Sequence, residues 1–302
     1  MIKNFLLALS ISALSINLYA VEYTKDLVAK AQKGDAQAQY EVGQLIYHGK
    51  GIAKDKNTGF AWMLESAEQG YAPAQVSVGE SYHWGIGTEK NRTKAFEWFQ
   101  KASAQKSPKG TYELSVAYTL GAGVQKNINK GNQLLLQSAE LGYVPAMVYL
   151  AQAYRTGESE SNTEKDLKKS FYWYDKAAST GDKDAMSNLG VMYEEGSGTT
   201  QDNTQALKYY LAAAKKGESL SQFNICRFYF YGTHPLKQDY ESAFKWCNAA
   251  AKQDDYYAKL FLGRMYAQGL GVKKDKTMAI KWYKQVSEED EAAEYLAANK
   301  VK

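Results

Sequence analysis

Proline and histidine are scarce in this sequence, neither sign of charge dominates, and no apolar run of membrane-spanning length follows residue 20. Of 302 residues only four are Pro and 45% are hydrophobic, which argues against a largely disordered chain and is typical of a folded, mostly helical protein. The 37 basic and 33 acidic side chains are mixed along the chain without a basic stripe, so nucleic acid is not expected as a partner.

The three histidines supply no recognisable metal or catalytic constellation. His48 and His83 have no cysteine nearby and no H-E-x-x-H spacing, and His234 precedes a proline in a predicted turn. The sequence also lacks a G-x-S-x-G elbow and a P-loop. We therefore expect a protein that is not an enzyme, with no catalytic residue, no cofactor and no metal.

The first 20 residues have the pattern of a secretory signal peptide. Lys3 gives a charged start, an apolar run of about 12 residues begins at Phe5, and Ala20 is a small residue at the predicted cleavage point. The run is shorter than the roughly 20 residues that span a bilayer, and an uncleaved membrane anchor is the alternative. We expect an exported protein, periplasmic or secreted, without stable membrane insertion after cleavage.

Glycine recurs at a nearly constant interval through the rest of the chain. The separations of 36, 36, 36, 39, 36 and 37 residues join Gly49, Gly85, Gly121, Gly157, Gly196, Gly232 and Gly269. A period in this range indicates stacked supersecondary units. An aliphatic residue stands seven positions before each of these glycines, and a tyrosine usually stands three before it. This spacing of four places both on one buried face of a first helix.

A second helix is predicted after each turn glycine, because large residues are followed at helical spacing by small ones. In the second copy, for example, Trp98 and Phe99 precede Ala102 and Ser103. Large side chains that face small ones let two helices pack closely.

These units resemble the Sel-one-like repeat, a relative of the tetratricopeptide repeat. The motif A-x-x-x-L-G-x-x-Y-x-x-G-x-G-V, followed by a W-Y pair, runs from Ala258 to Tyr283. The clearest departures are the longer linker from Glu158 to Lys169 in the fourth copy and the replacement of the second turn glycine by His234-Pro235 in the sixth. The resemblance implies an all-α, right-handed α-α superhelical solenoid of about seven helix-turn-helix repeats.

One continuous solenoid domain, residues 21–302, is expected after the signal peptide of residues 1–20. The seven repeats are predicted at about 36–70, 72–106, 108–142, 144–181, 183–217, 219–253 and 256–287. Segments 24–34 and 288–299 are predicted to cap the two ends of the stack.

Cys226 and Cys247 lie in the same predicted repeat, at two positions that hold other residues in the remaining repeats. In most other copies these positions hold a small residue, usually Gly, on the first helix and Tyr or Phe on the second, a pair expected to be in contact. In an oxidising compartment we therefore expect a disulfide, and two free, buried thiols are the alternative.

A partner surface is predicted at the positions nine, five and two residues before each turn glycine, which point about 160° away from the core face of the first helix. Aromatic residues and arginines, which dominate binding hot spots, are frequent there. The predicted partner-binding residues are Tyr40, Tyr47, His83, Tyr112, Arg155, Phe223, Arg227, Phe230 and Arg264. Packing between neighbouring first helices is the alternative for each aromatic residue.

The resemblance implies a protein–protein interaction scaffold or adaptor, monomeric, that binds another protein or a peptide on its concave face. Toxin-neutralising immunity and virulence-related roles are among those it implies. A β-lactamase-like or other cell-wall hydrolase is the alternative, because cysteine-rich relatives are described in that way. Those relatives carry a cysteine pair in nearly every repeat, whereas this chain has two cysteines in total.

Overall fold

The computed structural model describes residues 22–157 and 163–300, and within these residues the chain forms sixteen α-helices and no strand. The prediction of an all-α fold is confirmed. The predicted signal peptide and Glu158, the first residue of the long linker, lie outside the described residues. The chain divides between Lys165 and Asp166 into two compact units.

The helices alternate between first and second helices of the repeat. The first unit contains α1 (Lys25–Gln32), α2 (Ala36–His48), α3 (Lys56–Glu68), α4 (Ala72–Trp84), α5 (Arg92–Ala104), α6 (Pro108–Leu120), α7 (Ile128–Glu140) and α8 (Val144–Thr156). The second unit contains α9 (Leu167–Ser179), α10 (Lys183–Glu195), α11 (Asn203–Lys215), α12 (Ser219–Tyr231), α13 (Tyr240–Ala251), α14 (Tyr256–Gln268), α15 (Lys276–Tyr283), a short 3₁₀ helix (Lys284–Val286) and α16 (Asp290–Ala298). Even-numbered helices from α2 to α14 are first helices. The fourth copy has α8 in the first unit and α9 in the second.

Two devices close the turn between a first and a second helix. In the second copy, Gly85 ends α4 with a φ of 70°, a left-handed conformation that glycine adopts at least cost. Asn91 then caps α5: its side chain accepts the backbone N–H of Lys94, and its own backbone N–H donates to the carbonyl of Tyr82 at 2.8 Å. Equivalent backbone bonds join Asn127 to Tyr118, Asp202 to Tyr193, Asp239 to Tyr229 and Asp275 to Tyr266. Helix ends are therefore satisfied in the same way in copy after copy.

The two helices of a hairpin approach each other where a glycine of the first faces a ring of the second. A Cβ atom added at Gly79 would lie 2.5 Å from Cε1 of Phe99, and one added at Gly190 would lie 2.6 Å from Cε1 of Tyr210. Both rings are buried. Since real Cβ atoms do not approach other carbon atoms this closely, any side chain at these positions would push the helices apart.

The sixth copy has cysteines in the same two columns. Cys226 on α12 and Cys247 on α13 are fully buried, their Cα atoms are 5.2 Å apart, and their sulfurs are bonded. As expected from the columns, a disulfide takes the place of the glycine–ring contact.

Neighbouring copies touch where the second glycine of a turn meets the start of the preceding second helix. A Cβ atom at Gly87, after α4, would collide with the carbonyl oxygen of Lys56 at the start of α3 and would lie 3.0 Å from Cβ of Phe60. The same close approach recurs at Gly123 against Arg92, Gly198 against Leu167 and Gly271 against Tyr240. The repeat spacing is therefore set partly by backbone packed on backbone.

Replacing Gly87 by Ala should lower the free energy of unfolding by about 2–4 kcal/mol, because the new methyl group meets a rigid backbone and the φ of 75° is costly for alanine. Gly70→Ala is the matched control: its φ is 93°, but no atom lies within 4 Å of the added Cβ, so only the backbone strain of about 1–2 kcal/mol applies. Urea denaturation measures both losses. Equal losses would contradict the close contact between repeats.

Removal of the disulfide should destabilise the protein by about 3 kcal/mol, because the bond closes a loop with a sequence separation of 21. Denaturation of the Cys226→Ala, Cys247→Ala double variant measures this loss. The double variant Cys226→Gly, Cys247→Tyr restores the pair found in the fifth copy and should recover part of it. Two alkylatable thiols in the unfolded, unreduced wild-type protein would show that the bond is absent.

Candidate functional site

All nine predicted partner-binding residues lie on first helices. They are Tyr40 and Tyr47 on α2, His83 on α4, Tyr112 on α6, Arg155 on α8, Phe223, Arg227 and Phe230 on α12, and Arg264 on α14. Rings from neighbouring copies are in contact along this first-helix surface, for example Phe223 of the sixth copy with Phe261 of the seventh at a centroid distance of 5.3 Å. Packing between successive first helices therefore buries part of this surface.

Three of the predicted residues are not exposed, and for them the expectation of a solvent-facing side chain is wrong. Tyr112, Phe223 and Phe230 are only 1%, 7% and 6% exposed. Tyr112 packs on Tyr143 at a centroid distance of 5.1 Å, and both phenylalanines pack edge-on against Phe261 at 5.3 and 5.0 Å. Adjacent first helices lie close enough for these rings to fill the space between them, which is the alternative that the sequence left open.

Four further predicted residues, Tyr40, Tyr47, His83 and Arg155, are half-buried. The His83 ring packs edge-on against Trp84, with ring centroids 4.6 Å apart. Burial lowers the pKa of His83, so the neutral ring is favoured. A role for these four residues in binding a partner stays a prediction.

Arg227 and Arg264 lie partly at the surface, but both are held in ion pairs. The Arg227 guanidinium donates to both carboxylate oxygens of Glu194, at 2.6 and 2.8 Å, and the Tyr210 hydroxyl donates to the same carboxylate at 2.8 Å. Arg264 is bound in the same way by Glu291, which also accepts from the Tyr283 hydroxyl at 2.7 Å.

These ion pairs hold the two guanidinium groups in place. The Arg264 hydrogen bond keeps the pKa of the Glu291 carboxyl below its usual value, so that carboxylate stays charged. Both arginines are thus fixed in position, and most of their charge is neutralised within the fold.

A continuous group of rings lies on α12 and α14, two neighbouring first helices of the second unit. We call it the aromatic patch, and it consists of Phe223, Phe230, Tyr231, Tyr257 and Phe261. Each ring contacts at least one other with centroids between 5.0 and 6.0 Å apart. The three phenylalanines are buried, whereas Tyr231 and Tyr257 are 56% and 55% exposed. The Arg264 guanidinium lies 5.3 Å from the Phe261 centroid, within cation–π range.

Tyr231 and Tyr257 were missed by the sequence reasoning. Tyr231 stands one residue before its turn glycine and Tyr257 stands twelve before its own, whereas the predicted surface consists of the positions nine, five and two residues before it. For Tyr231 the available signal was an aromatic residue where the neighbouring copies have a polar one, since Glu195 and Gln268 occupy the same place there.

A second group, in the first unit, combines carboxylates with tyrosines. We call it the polar cluster, and it consists of Glu80, Lys109, Tyr112, Glu113 and Tyr143. The Lys109 ammonium lies 2.7 Å from Oε1 of Glu80. By contrast, Oε1 of Glu113 and the hydroxyl oxygens of Tyr112 and Tyr143 are buried and have no hydrogen-bond partner within the described part of the chain.

Burial dominates the electrostatics of the polar cluster. It raises the pKa of Glu113 to about 8, with a further upward contribution from the Glu80 carboxylate and an opposing one from Lys109. The pKa of Glu80 is also raised by burial, although Lys109 acts against it. Burial and the charge of Glu113 raise the pKa values of Tyr112 and Tyr143 as well. Burial therefore favours the protonated form of the Glu113 carboxyl.

This protonation makes stability depend on pH. In the unfolded chain Glu113 loses its proton near its ordinary pKa of 4.5, whereas in the folded protein its pKa is about 8. The proton therefore stabilises the fold fully below pH 4.5, and this stabilisation is lost as the pH rises through 8. In Glu113→Gln this loss should be smaller, by on the order of 2 kcal/mol between pH 5 and pH 9. Urea denaturation at several pH values measures it, with the exposed Glu97→Gln as a control that should follow the wild type. Parallel profiles for wild type and Glu113→Gln would contradict the raised pKa.

Within residues 22–157 and 163–300 no three His, Cys, Asp or Glu side chains are grouped so that they could hold a metal ion. Over the same residues no helix is both long and apolar enough to cross a membrane.

Known proteins share this repeat. A family model of the Sel1 repeat matches residues 36–71, 72–107, 108–143, 144–182, 183–218, 219–255 and 257–290. The chain is 27% identical to a Sel1 repeat protein from Oxalobacter formigenes, whose crystal structure it matches with a TM-score of 0.67 over 90% of this chain and 78% of that one. The chain is also 27% identical to c5321, a protective antigen of uropathogenic Escherichia coli. It matches the crystal structure of that protein with a TM-score of 0.52 over 94% of this chain and 67% of that one.

A relative is also found among eukaryotic proteins. The chitin synthase regulator SKT5 of Saccharomyces cerevisiae is 34% identical over 131 residues, which are 42% of this chain and 19% of the yeast protein. The chain thus corresponds to about a fifth of that relative.

Proposed function

Because the chain belongs to the Sel1 repeat family, whose repeats act as scaffolds for protein interactions, we propose that it binds a partner protein on the first-helix surface of the second unit. The observation that carries the proposal is the aromatic patch. Tyr231 and Tyr257 are more than half exposed, yet their rings rest on buried phenylalanines.

The composition of this surface is that of a binding hot spot. Tyrosine and arginine contribute more than their share of binding energy at interfaces, and Arg264 lies beside the patch. Rings that are already packed lose little conformational freedom when a partner covers them, which lowers the entropic cost of binding. The ion pair with Glu291 similarly holds the Arg264 side chain in one position before binding.

Export to the periplasm or the cell exterior is part of the proposal. The signal-peptide pattern of residues 1–20 and the disulfide between Cys226 and Cys247 support it, because structural disulfides persist in oxidising compartments. A toxin-neutralising or virulence-related role rests on the family resemblance alone. Binding is favoured over hydrolysis, since the hydrolase analogy applies to cysteine-rich relatives and this chain contains a single cysteine pair.

Site-specific photo-crosslinking tests this proposal. A benzophenone amino acid placed at position 231 or 257 should give the same covalent partner in cells of the source organism. Position 172 on α9 is the matched control, because Tyr172 is similarly exposed, at 51%, but lies on a second helix. With the partner in hand, Tyr231→Ala combined with Tyr257→Ala should weaken binding at least tenfold, and Tyr172→Ala should leave it unchanged. The same adduct from all three positions, or none from 231 and 257, would refute this surface.

A further inference from the structure

The turn after α12 differs from the other turns of the repeat. Gly232 stands seven positions before the N-cap Asp239, whereas Gly85 stands six positions before Asn91. His234 occupies the place of the second turn glycine, which in four other copies packs its backbone on the first residue of the preceding second helix. Because His234 has a side chain, the turn after α12 cannot approach the start of α11 in that way.

A groove of about 650 Å³ lies between this turn and α11. Pro235 forms one side of it, and one face of α11, which includes Leu207, Leu211 and Ala212, forms the floor. We call it the α11 groove. The floor runs from Thr204 to the C-terminal end of the helix, which is about 16 Å at 1.5 Å per residue. A groove of this size is suited to a small molecule or a short chain.

The floor and the side of the α11 groove offer few hydrogen-bond partners. Leucine and alanine side chains neither donate nor accept, the backbone groups of α11 are bonded within the helix, and Pro235 has no N–H. An extended peptide would lose water from its own N–H and C=O groups here without gaining partners for them. A hydrocarbon chain has no such groups, so the groove favours a hydrocarbon over an extended peptide.

Two cations lie together at one end of the groove. Lys215 is the last residue of α11 and Lys216 is its C-cap; both line the groove and are exposed. Neither forms a salt bridge within the part of the chain that the structure describes. Their two charges outweigh the partial negative charge, about half a unit, at the C-terminus of a helix. The third lysine, Lys208, lies between the two ends, with its ammonium 5.7 Å from the centroid of the Tyr209 ring.

We propose that the α11 groove binds a single-chain amphiphile with an anionic head, namely a fatty-acid anion. Its carboxylate pairs with the ammonium groups of Lys215 and Lys216, and its chain lies along the floor towards Pro235. The opposite orientation is disfavoured, because the Asp202 carboxylate caps the other end of α11 and accepts the backbone N–H of Thr204 at 2.9 Å. No acidic side chain belongs to the described lining of the groove.

Calorimetry with amphiphiles of different head and length tests the chemistry. Dodecanoate, kept below its micelle concentration, should bind the protein at a single site. Dodecyltrimethylammonium, which has the same chain and a cationic head, should bind at least tenfold more weakly. Each methylene removed between dodecanoate and octanoate should weaken binding about twofold, because a fully buried methylene contributes about fourfold and the groove covers only one side of the chain. Equal affinity for the two heads would overturn the proposal.

Variants locate the site. Lys215→Gln with Lys216→Gln should weaken dodecanoate binding at least fivefold, and Ala212→Glu, which adds a carboxylate to the floor, should abolish it. The matched control is Lys245→Gln with Lys252→Gln, because these exposed lysines belong to α13 and its C-cap and do not line the groove. This control should bind as the wild type does. Far-UV circular dichroism verifies that each variant is folded, and equal weakening by the two lysine pairs would overturn the proposal.

Two further ligands represent other occupants of the groove. Vesicles of phosphatidylglycerol represent a membrane surface, and acetyl-Leu-Leu-Leu-Glu-Glu-amide represents an acidic segment of a partner protein. Binding of either one without binding of dodecanoate would overturn the proposal. Because the aromatic patch lies on first helices, Tyr231→Ala with Tyr257→Ala should bind dodecanoate as the wild type does. The α11 groove and the proposed partner surface are thus tested separately.

Discussion

A glycine of the first helix lies against an aromatic ring of the second in the second, fifth and seventh copies. The distance between two packed helices is set by the side chains at their contact, so the missing side chain lets the second helix approach closely and bury the ring. Gly79 with Phe99, Gly190 with Tyr210 and Gly263 with Tyr283 show the same arrangement. The turn between the two helices can then be short. The backbone N–H of the residue that caps the second helix reaches the carbonyl of the tyrosine three residues before the turn glycine.

The same contact also organises the surface of the second unit. Tyr210 and Tyr283 are buried as rings, but their hydroxyl groups reach glutamates that hold Arg227 and Arg264. The same buried ring position thereby helps to fix one surface arginine in each of two copies. In the second copy the ring is Phe99, which has no hydroxyl, and the glutamate of the first-helix surface, Glu80, is paired with Lys109 of the next first helix instead. The two units thus form different ion pairs on the same repeated backbone.

Much of the fold could be predicted because it recurs in register. The turn glycines, the tyrosine column and the cysteine pair each occupy positions that other copies define. The burial of Tyr112, Phe223 and Phe230 could not be predicted in this way, because it depends on the distance between neighbouring first helices. The angular pattern of one helix contains no information about that distance. Positions that face away from the core of their own hairpin are covered by the next one.

The candidate sites were harder to find than the fold, since function resides in residues that do not repeat. Tyr231 and Tyr257 have no equivalents in the neighbouring copies, so no column draws attention to them. Glu80 and Glu113 are ordinary helix residues in sequence, and charges in helices are usually solvated. Only the packing of α4 and α6 with the residues before α8 shows that one carboxylate has a cation and the other has none.

The position of the disulfide has a mechanical consequence. Pulled from its ends, the oxidised chain cannot extend the segment between Cys226 and Cys247, whose sequence separation is 21. At about 3.4 Å per residue, its fully stretched length is about 70 Å shorter than that of the reduced chain. Any pore that threads the protein from one end must admit this closed loop as a double strand. Reduction of the bond opens this loop, so that the sixth repeat can then be extended as a single strand like the others.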